Sequence, residues 1–194
     1  MSISGINSHN YSNYYAGRSQ RTAGKEGNGS GFQTSISGAT SNITLNLSGT
    51  EDGERALTAV GFPDGSSASV YKAKDYDPEN PTYRVRYWDT EGNYTDTDVN
   101  IDEVNPANAS YLEMLAYTTY SDVNSLTKDA FGQFMTAAHG VNGDITYDMD
   151  SINEKKDFAS MVKDFMEQQY QSGNMEGYLK YKELYDYIQD KLAK

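Results

Sequence analysis

The stretch TYRVRYWDTEGNYTDTDVNI, residues 82–101, contains two segments of alternating character on either side of a four-residue turn. The turn, TEGN at residues 90–93, has the acidic and glycine residues that favour a tight reversal between antiparallel strands. Successive side chains of a strand point to opposite faces, so alternation with a period of two is typical of a half-buried strand. The stretch therefore predicts a β-hairpin.

The second strand of this hairpin has two contrasting faces. One face carries the oxygen-bearing residues Asp96, Asp98, Asn100 and Asp102. The other face carries Val99 and Ile101, which we expect in the core, so that the acids face water. The same row could instead bind a cation or supply catalytic carboxylates. We favour the solvated strand face, because acids that repel one another are common on exposed strands.

Similar patterns continue toward the N-terminus. The segments at 54–62 and 67–76 flank a Pro-Asp-Gly turn at 63–65, which predicts another hairpin. The segment NITLNLS, residues 42–48, also alternates. Its aliphatic side consists of Ile43, Leu45 and Leu47. We therefore predict an antiparallel meander of about four to five strands over residues 42–101.

After Val104 the apolar spacing changes to three and four residues, which is typical of amphipathic helices. We expect the first helix to begin with Asn105 as its cap and Pro106 in its first turn. The second helix, around residues 131–138, should stop at Gly140. Strands followed by about four helices predict an α+β fold, with the helices packed on one face of the sheet.

The C-terminal helices form a predicted helical hairpin. Ser151 and Glu154 have the spacing of a capping box before the next amphipathic run, and the sequence at 172–174 breaks that run. The last helix carries a stripe of Tyr178, Tyr181, Tyr185, Ile188 and Leu192. If these tyrosines are exposed, they offer a surface for self-association or for a partner protein. If they are buried, they belong to the core.

The N-terminal region differs in composition. Residues 1–40 are rich in Ser, Gly, Asn and Tyr, so we predict a flexible tail there and a single α+β domain over residues 41–194. The tail has three basic residues and one acid, +2, and the whole chain carries −12, so the remaining 154 residues carry −14. Nucleic acid and anionic membrane surfaces would be repelled, and we expect neither as a partner.

Other compositional features restrict the function further. The chain has no cysteine, which excludes disulfides and thiolate metal sites. It has no apolar run of the roughly 20 residues that cross a bilayer. The first 20 residues lack the charged-then-apolar order of a secretory signal, which favours a cytoplasmic location. Export without a cleaved signal, or prior removal of a signal, remains an alternative.

Catalytic and cofactor motifs are missing from the sequence. His9 lies in the predicted tail, and His139 lies near a helix end, where the helix dipole favours an imidazolium. Neither the G-x-S-x-G nor the H-E-x-x-H pattern occurs, and the phosphate-binding glycine motifs are absent as well. We therefore expect no cofactor and lean toward a non-enzymatic protein. A small hydrolase that uses a carboxylate pair such as Asp96 and Asp98 is an alternative.

Calcium binding is another alternative. The oxygen-rich stretch that begins at Asn142 departs from the EF-hand pattern, since position six is Tyr147 and position twelve is Asn153. A calcium-binding loop that is not of the EF-hand type stays an alternative. The candidate metal ligands are Asp96, Asp98, Asp102, Asp144 and Asp148.

Aromatic residues around the second hairpin suggest carbohydrate binding, because exposed rings can stack on sugars. The candidates are Tyr83, Tyr87, Trp88 and Tyr94. Tyr83 and Tyr87 share one face of their strand. The alternative, which we favour, is that these rings pack under the helices.

Two segments carry a resemblance to known proteins: GFPDGSSASVYKAKDYDPENPTYRVRYWDTEGN (61–93) and VNIDEVNPANASYLEMLAY (99–117). They resemble small uncharacterised proteins of Gram-positive, clostridia-like bacteria, which are grouped as domains of unknown function. The resemblance covers about residues 55–140 and part of the Ser/Asn/Tyr-rich opening, and it implies a bacterial source, but no activity, cofactor or site residue. The leading hypothesis is thus a non-enzymatic module that acts by protein contact or has a structural role.

Overall fold

The computed structural model describes residues 55–141 and 146–193, apart from the side chains of residues 140 and 141. Within these residues four strands come first: β1 Thr58–Gly61, β2 Ser67–Lys72, β3 Thr82–Trp88 and β4 Tyr94–Asn100. A short 3₁₀ helix, Ile101–Glu103, leads into the helical half. The helices are α1 Tyr111–Val123, α2 Ala130–Val141, α3 Met149–Asn153, α4 Phe158–Gln171 and α5 Met175–Leu192. The predicted α+β class is confirmed.

The sheet is an antiparallel meander in the order β1-β2-β3-β4. Its turns include Gly65 and Gly92, whose φ angles of +97° and +87° lie in the left-handed region that glycine adopts without strain. Asp89 closes the second turn, because its carboxylate accepts hydrogen bonds from the backbone N–H groups of Glu91 and Asn93. The further strand that the sequence predicts at 42–48 lies outside the described residues.

The pairing register gives the sheet two distinct faces. Val85 of β3 lies opposite Val70 of β2 and Thr97 of β4, and Tyr83 lies opposite Val99. We call the face with Val85 the inner face. Its buried core residues are Ala68, Val70, Tyr83, Val85, Tyr87 and Val99. Helix α1 packs against this face, as in the 2.6 Å hydrogen bond between the Thr58 and Thr119 hydroxyls.

Helix α1 begins five residues later than the Asn105–Pro106 signal predicts, and that expectation is wrong. The Asn105 side chain instead accepts a hydrogen bond from the N–H of Ala107, which forms a turn before the helix. Ser110 is the actual cap, and Glu113 completes a capping box with it. Helix α1 therefore starts at the residue that has a complete capping box.

The predicted capping box at Ser151 and Glu154 is also wrong. Ser151 lies inside the five-residue helix α3, and Asp157 caps α4. The cause is a pair of backbone hydrogen bonds between Ala109 and Lys156, 3.1 and 2.8 Å long, which hold the chain extended between the two helices. A continuous helix through this point would have to break both bonds.

Helices α4 and α5 form the predicted helical hairpin. The chain reverses at residues 172–174, where Gly173 has a φ of +77°. The hairpin packs on α2, and within it the rings of Phe165 and Tyr181 lie 4.6 Å apart. Among the described helices, none combines the length and the apolar character that crossing a membrane requires.

Candidate functional site

The acidic row of β4 lies on the outer face of the sheet, opposite the inner face defined above. Asp96 and Asp98 lie directly across from Arg86 and Arg84 of β3. Asp96 binds the Arg86 guanidinium through two hydrogen bonds of 2.6 and 2.7 Å. The contact between Arg84 Nε and Asp98 is longer, at 3.4 Å. We call these four residues the charge ladder.

The charge ladder changes the interpretation of the acidic row. The Arg86 guanidinium already donates two hydrogen bonds to the Asp96 carboxylate, and these bonds raise the pKa of Arg86. Because a cation or a proton donor would have to displace these arginines, the geometry does not favour a metal site or a catalytic carboxylate pair here. Over residues 55–141 and 146–193, no group of three or more His, Asp or Glu side chains is arranged to hold a metal ion.

The other candidate metal ligands have local structural roles. Asp148 caps α3 by accepting hydrogen bonds from the N–H groups of Asp150 and Ser151, and the bonds with Ser151 lower its pKa. Asp102 lies in the 3₁₀ helix, 4.0 Å from the Lys191 ammonium. Asp144 lies outside the described residues. The structure does not bring Asp102 and Asp148 together with the charge ladder as one described cluster.

Two of the predicted ligand aromatics are core residues. Tyr83 and Tyr87 are buried on the inner face under the helices, so neither ring is available for a sugar to stack on. The Tyr87 hydroxyl donates a 2.6 Å hydrogen bond to the carbonyl of Tyr147. Both residues therefore support the alternative interpretation, in which the rings pack beneath the helices.

The other two aromatics, Trp88 and Tyr94, lie on the outer face. Trp88 is only 5% exposed, whereas Tyr94 is 56% exposed. The Arg86 guanidinium stacks on the Tyr94 ring at 4.1 Å from its centroid. One face of the exposed ring is thus already covered by a cation, which weakens the case for carbohydrate stacking at this position.

The tyrosine stripe of α5 turns inward. Tyr181 is buried, and Tyr178 and Tyr185 are half-buried against the rest of the helical core. These tyrosines therefore belong to the helical core. The stripe is not the exposed surface that self-association or binding of a partner protein would require.

His139 contacts Tyr147, whose hydroxyl lies 2.6 Å from Nδ1. The residue keeps part of its surface in water, but the surrounding protein desolvates the ring and lowers its pKa. This desolvation opposes the effect that is expected of the helix dipole, which stays a prediction.

A shallow groove lies between the start of α4 and the end of α5. Its volume is about 160 Å³, and its lining includes Asp157, Lys163 and Tyr185. Ligand pockets are usually about 300–1,000 Å³ in size. Asp157 is also engaged as the cap of α4, and Lys163 pairs with Glu167, so these two charged groups of the groove already have partners.

The tip of the α4–α5 hairpin carries a group of exposed apolar side chains that sequence reasoning missed. Tyr170, Met175 and Leu179 are 59%, 51% and 59% exposed. The Tyr170 ring lies 5.3 Å from the half-buried ring of Tyr178. We call Tyr170, Met175 and Leu179 the tip patch. The sequence indicates this patch only through position: the three residues flank the turn at 172–174 and lie outside the buried tyrosine stripe of α5.

No protein-family model, curated protein or solved structure matches this chain in the three comparisons made. The resemblance to bacterial domains of unknown function stays a prediction.

Proposed function

We propose that this chain is a non-enzymatic module that binds another protein through the tip patch of the α4–α5 hairpin. The observation that carries the proposal is the concentration of three large apolar side chains, each more than half exposed, around one turn. Contiguous exposed apolar patches on a folded protein commonly mark contact surfaces. Single exposed apolar residues elsewhere on the described surface need no such explanation.

The geometry of the hairpin supports this role. Met175 and Leu179 are one helical turn apart on α5, so they lie on the same side of that helix. Tyr170 lies in the last turn of α4, and its ring contacts Tyr178 of α5. The three exposed side chains thus flank one turn of the hairpin, a position that is suited to insertion into an apolar pocket of a partner.

The charge around the patch indicates the chemistry of the partner. Residues 41–194 carry a net charge of −14, and exposed Glu176 lies beside Met175. The neighbouring lysines of α5 are paired, Lys180 with Asp129 and Lys182 with Asp186. Electrostatic complementarity therefore favours a partner segment that combines apolar anchors with basic side chains.

The size of the patch argues against a stable dimer of this chain. Three exposed side chains offer far less than the roughly 800 Å² per partner that a stable interface buries, so the tip patch suits contact with a short segment of another protein. Two copies would also bring like charges together. We therefore expect the purified chain to be monomeric in light scattering at high protein concentration.

The test uses a displayed library of random peptides, selected in parallel on the full chain and on the variant Tyr170→Ser/Met175→Ser/Leu179→Ser. We expect the parent to enrich peptides that combine apolar and basic residues. These peptides should bind the tip variant at least tenfold more weakly, because their apolar anchors lose the surface that they contact.

The matched control is Val123→Ser/Leu126→Ser, which removes exposed apolar side chains at the α1–α2 connection. This variant should bind the selected peptides with the affinity of the parent. Peptides that bind all three proteins equally, or a selection without basic enrichment, would contradict the proposal. Circular dichroism of each variant checks that the helices remain folded.

A further inference from the structure

Two tyrosine rings meet across the turn of the α4–α5 hairpin. Tyr170 lies in the last turn of α4, and Tyr178 lies in the first turn of α5. The centroids of the two rings are 5.3 Å apart, and the ring planes are inclined by 56°. Tyr170 is 59% exposed and Tyr178 is half-buried. Two phenols of different helices are therefore in contact at a surface that solvent and reagents reach.

The turn holds the two helix ends next to each other. Asn174 caps α5, because its side-chain oxygen accepts a 3.0 Å hydrogen bond from the N–H of Gly177. Asn174 also donates two hydrogen bonds to Gln169 of α4, one from its backbone N–H to the carbonyl at 2.9 Å and one from its side-chain amide to Oε1 at 2.7 Å. Because these bonds tie α4 to α5, the Tyr170 ring stays beside Tyr178, which gives the two phenols a high effective concentration toward each other.

Other tyrosine pairs among the described residues are closed to reagents. In each of them at least one ring is no more than 1% exposed, and that ring is Tyr83, Tyr111 or Tyr117. Burial also raises the pKa of these three phenols well above the ordinary value of 10.0, which makes their protons harder to remove. The pairs are Tyr76 with Tyr83, Tyr83 with Tyr120, Tyr111 with Tyr147, and Tyr117 with Tyr187. The pair at the hairpin turn differs from them, because neither of its rings is fully buried.

We propose that Tyr170 and Tyr178 form an oxidative cross-linking site, at which a haem peroxidase with hydrogen peroxide joins the two rings as dityrosine. Each phenol gives up one electron and one proton and becomes a phenoxyl radical. The two radicals couple through a new carbon–carbon bond between ring positions next to the hydroxyls. The hydrogen on each coupled carbon then moves to the oxygen of its ring, which restores both phenols. The two electrons and two protons that were released reduce one hydrogen peroxide to two water molecules.

The exposure of Tyr170 is the reason why this pair is selected. An enzyme as large as a peroxidase oxidises a phenol that projects from the surface, and Tyr170 meets this condition. Exposed side chains change rotamer within picoseconds to nanoseconds, so the Tyr170 ring can turn its edge toward Tyr178 while the radical persists. The bond would link α4 to α5 covalently in a chain that has no cysteine for a disulfide.

Tyr94 provides the contrast, because it is about as exposed as Tyr170 but has different neighbours. It is 56% exposed, and its ring lies against the Arg86 guanidinium and 6.5 Å from the Trp88 indole. Neither neighbour is a phenol, so within the described residues a Tyr94 radical lacks the adjacent partner that Tyr170 has in Tyr178. The net charge of −12 also opposes encounters between copies of the chain. In dilute solution the intramolecular product at the hairpin should therefore dominate.

The test treats the full chain at low micromolar concentration with a haem peroxidase and hydrogen peroxide. Digestion after glutamate and lysine separates the two tyrosines, since it cuts at Glu176 and Lys180. We expect monomeric protein with dityrosine fluorescence, and a conjugate of the fragments 168–176 and 177–180 whose mass is two hydrogens below their sum. Each fragment contains a single tyrosine, so the conjugate identifies both ends of the link. The reaction needs no partner protein, and its outcome is therefore independent of the proposed function.

The variant Tyr178→Phe keeps a ring in the contact and removes the phenol that couples. It should lower the yield of monomeric dityrosine by roughly fivefold or more, because Tyr170 then loses its adjacent partner. The matched control Tyr185→Phe, on the half-buried stripe of the same helix, should react like the parent. An unchanged yield in Tyr178→Phe, a conjugate of other fragments as the main product, or dityrosine in covalent dimers alone would overturn the proposal. A parent chain that forms no dityrosine would overturn it as well.

Discussion

Strand β3 shows how differently the two faces of the sheet are built. Tyr83, Val85 and Tyr87 enter the core beneath α1, whereas the alternate residues Arg84 and Arg86 pair with acids across the strand. The inner face is specified by packing, and the outer face by cross-strand charge pairs. Neighbouring residues of one strand thus serve different purposes.

The two faces also specify the same register. With this pairing, Tyr83 lies opposite Val99 in the core while Arg84 lies opposite Asp98 outside. A slip by one residue would put arginines into the core and tyrosines into the outer row. The charge ladder therefore helps to define the register of the hairpin.

The largest expected effect comes from the inner face. Tyr87→Ala should lower the free energy of unfolding by about 3–5 kcal/mol, because it leaves a cavity under the helices. The measurement is urea denaturation followed by circular dichroism.

Tyr87→Phe is the matched control, since it keeps the ring and removes only the hydrogen bond to Tyr147. It should cost about 1 kcal/mol. Similar losses for both variants would show that the hydrogen bond, and not the packing, dominates at this position.

Alkaline pH should act on the buried phenols of the core. Burial raises the pKa of Tyr111 and Tyr117 well above the ordinary value of 10.0. The unfolded state therefore releases these protons first, so stability is retained below pH 10 and lost as the pH rises above it. Between pH 9 and 11 each of the two groups should contribute a loss of about 1.4 kcal/mol in total, because the unfolded-state phenol is only half ionised at pH 10.

The measurement is urea denaturation at a series of pH values between 9 and 11. In Tyr117→Phe, the decrease in the free energy of unfolding over this pH range should be smaller than in the parent by the contribution of one tyrosine. A pH dependence that is the same in this variant and in the parent would contradict the assignment.

A smaller effect is expected at the start of α1, the helix that covers the inner face. Ser110→Ala should cost about 1 kcal/mol, because the N–H of Glu113 loses its hydrogen-bond acceptor. Asn105→Ala tests the sequence-based alternative and should change stability by less than half as much, since Asn105 only stabilises a turn. Thermal melting of both variants checks this order.

The smallest effect is expected on the outer face. A double-mutant cycle with Arg86→Ala and Asp96→Ala should give a coupling of about 0.2–1 kcal/mol that decreases in high salt. A coupling above about 2 kcal/mol, insensitive to salt, would mean that the charge ladder is as important to folding as the inner face.

Much of the sheet could be predicted from alternation alone. The burial of Val99 and Ile101 follows the predicted pattern, and so does the shared face of Tyr83 and Tyr87. The pairing of Asp96 with Arg86 was also accessible in principle, because arginines alternate in TYRVRYW. This pairing depends, however, on the register of the two strands. The turn geometry determines that register, and the alternation of residues does not predict it.

The helix starts and the contact surface were harder to predict for physical reasons. Asn105 and Ser110 both have capping chemistry, and only tertiary contacts such as the Ala109–Lys156 pairing decide between such signals. The α5 tyrosines would show the same regular spacing in the sequence whether they contacted a partner protein or packed in the core. The tip patch becomes visible only when the turn at 172–174 places Tyr170 beside α5.

The most direct test of the account is calorimetric titration of one selected basic and apolar peptide into the parent and into two variants. Tyr170→Ser/Met175→Ser/Leu179→Ser should bind at least tenfold more weakly, while Asp96→Asn/Asp98→Asn on the outer face should bind like the parent. Undiminished binding to the tip variant, or a loss of binding in the outer-face variant alone, would contradict the assignment of protein contact to the hairpin tip.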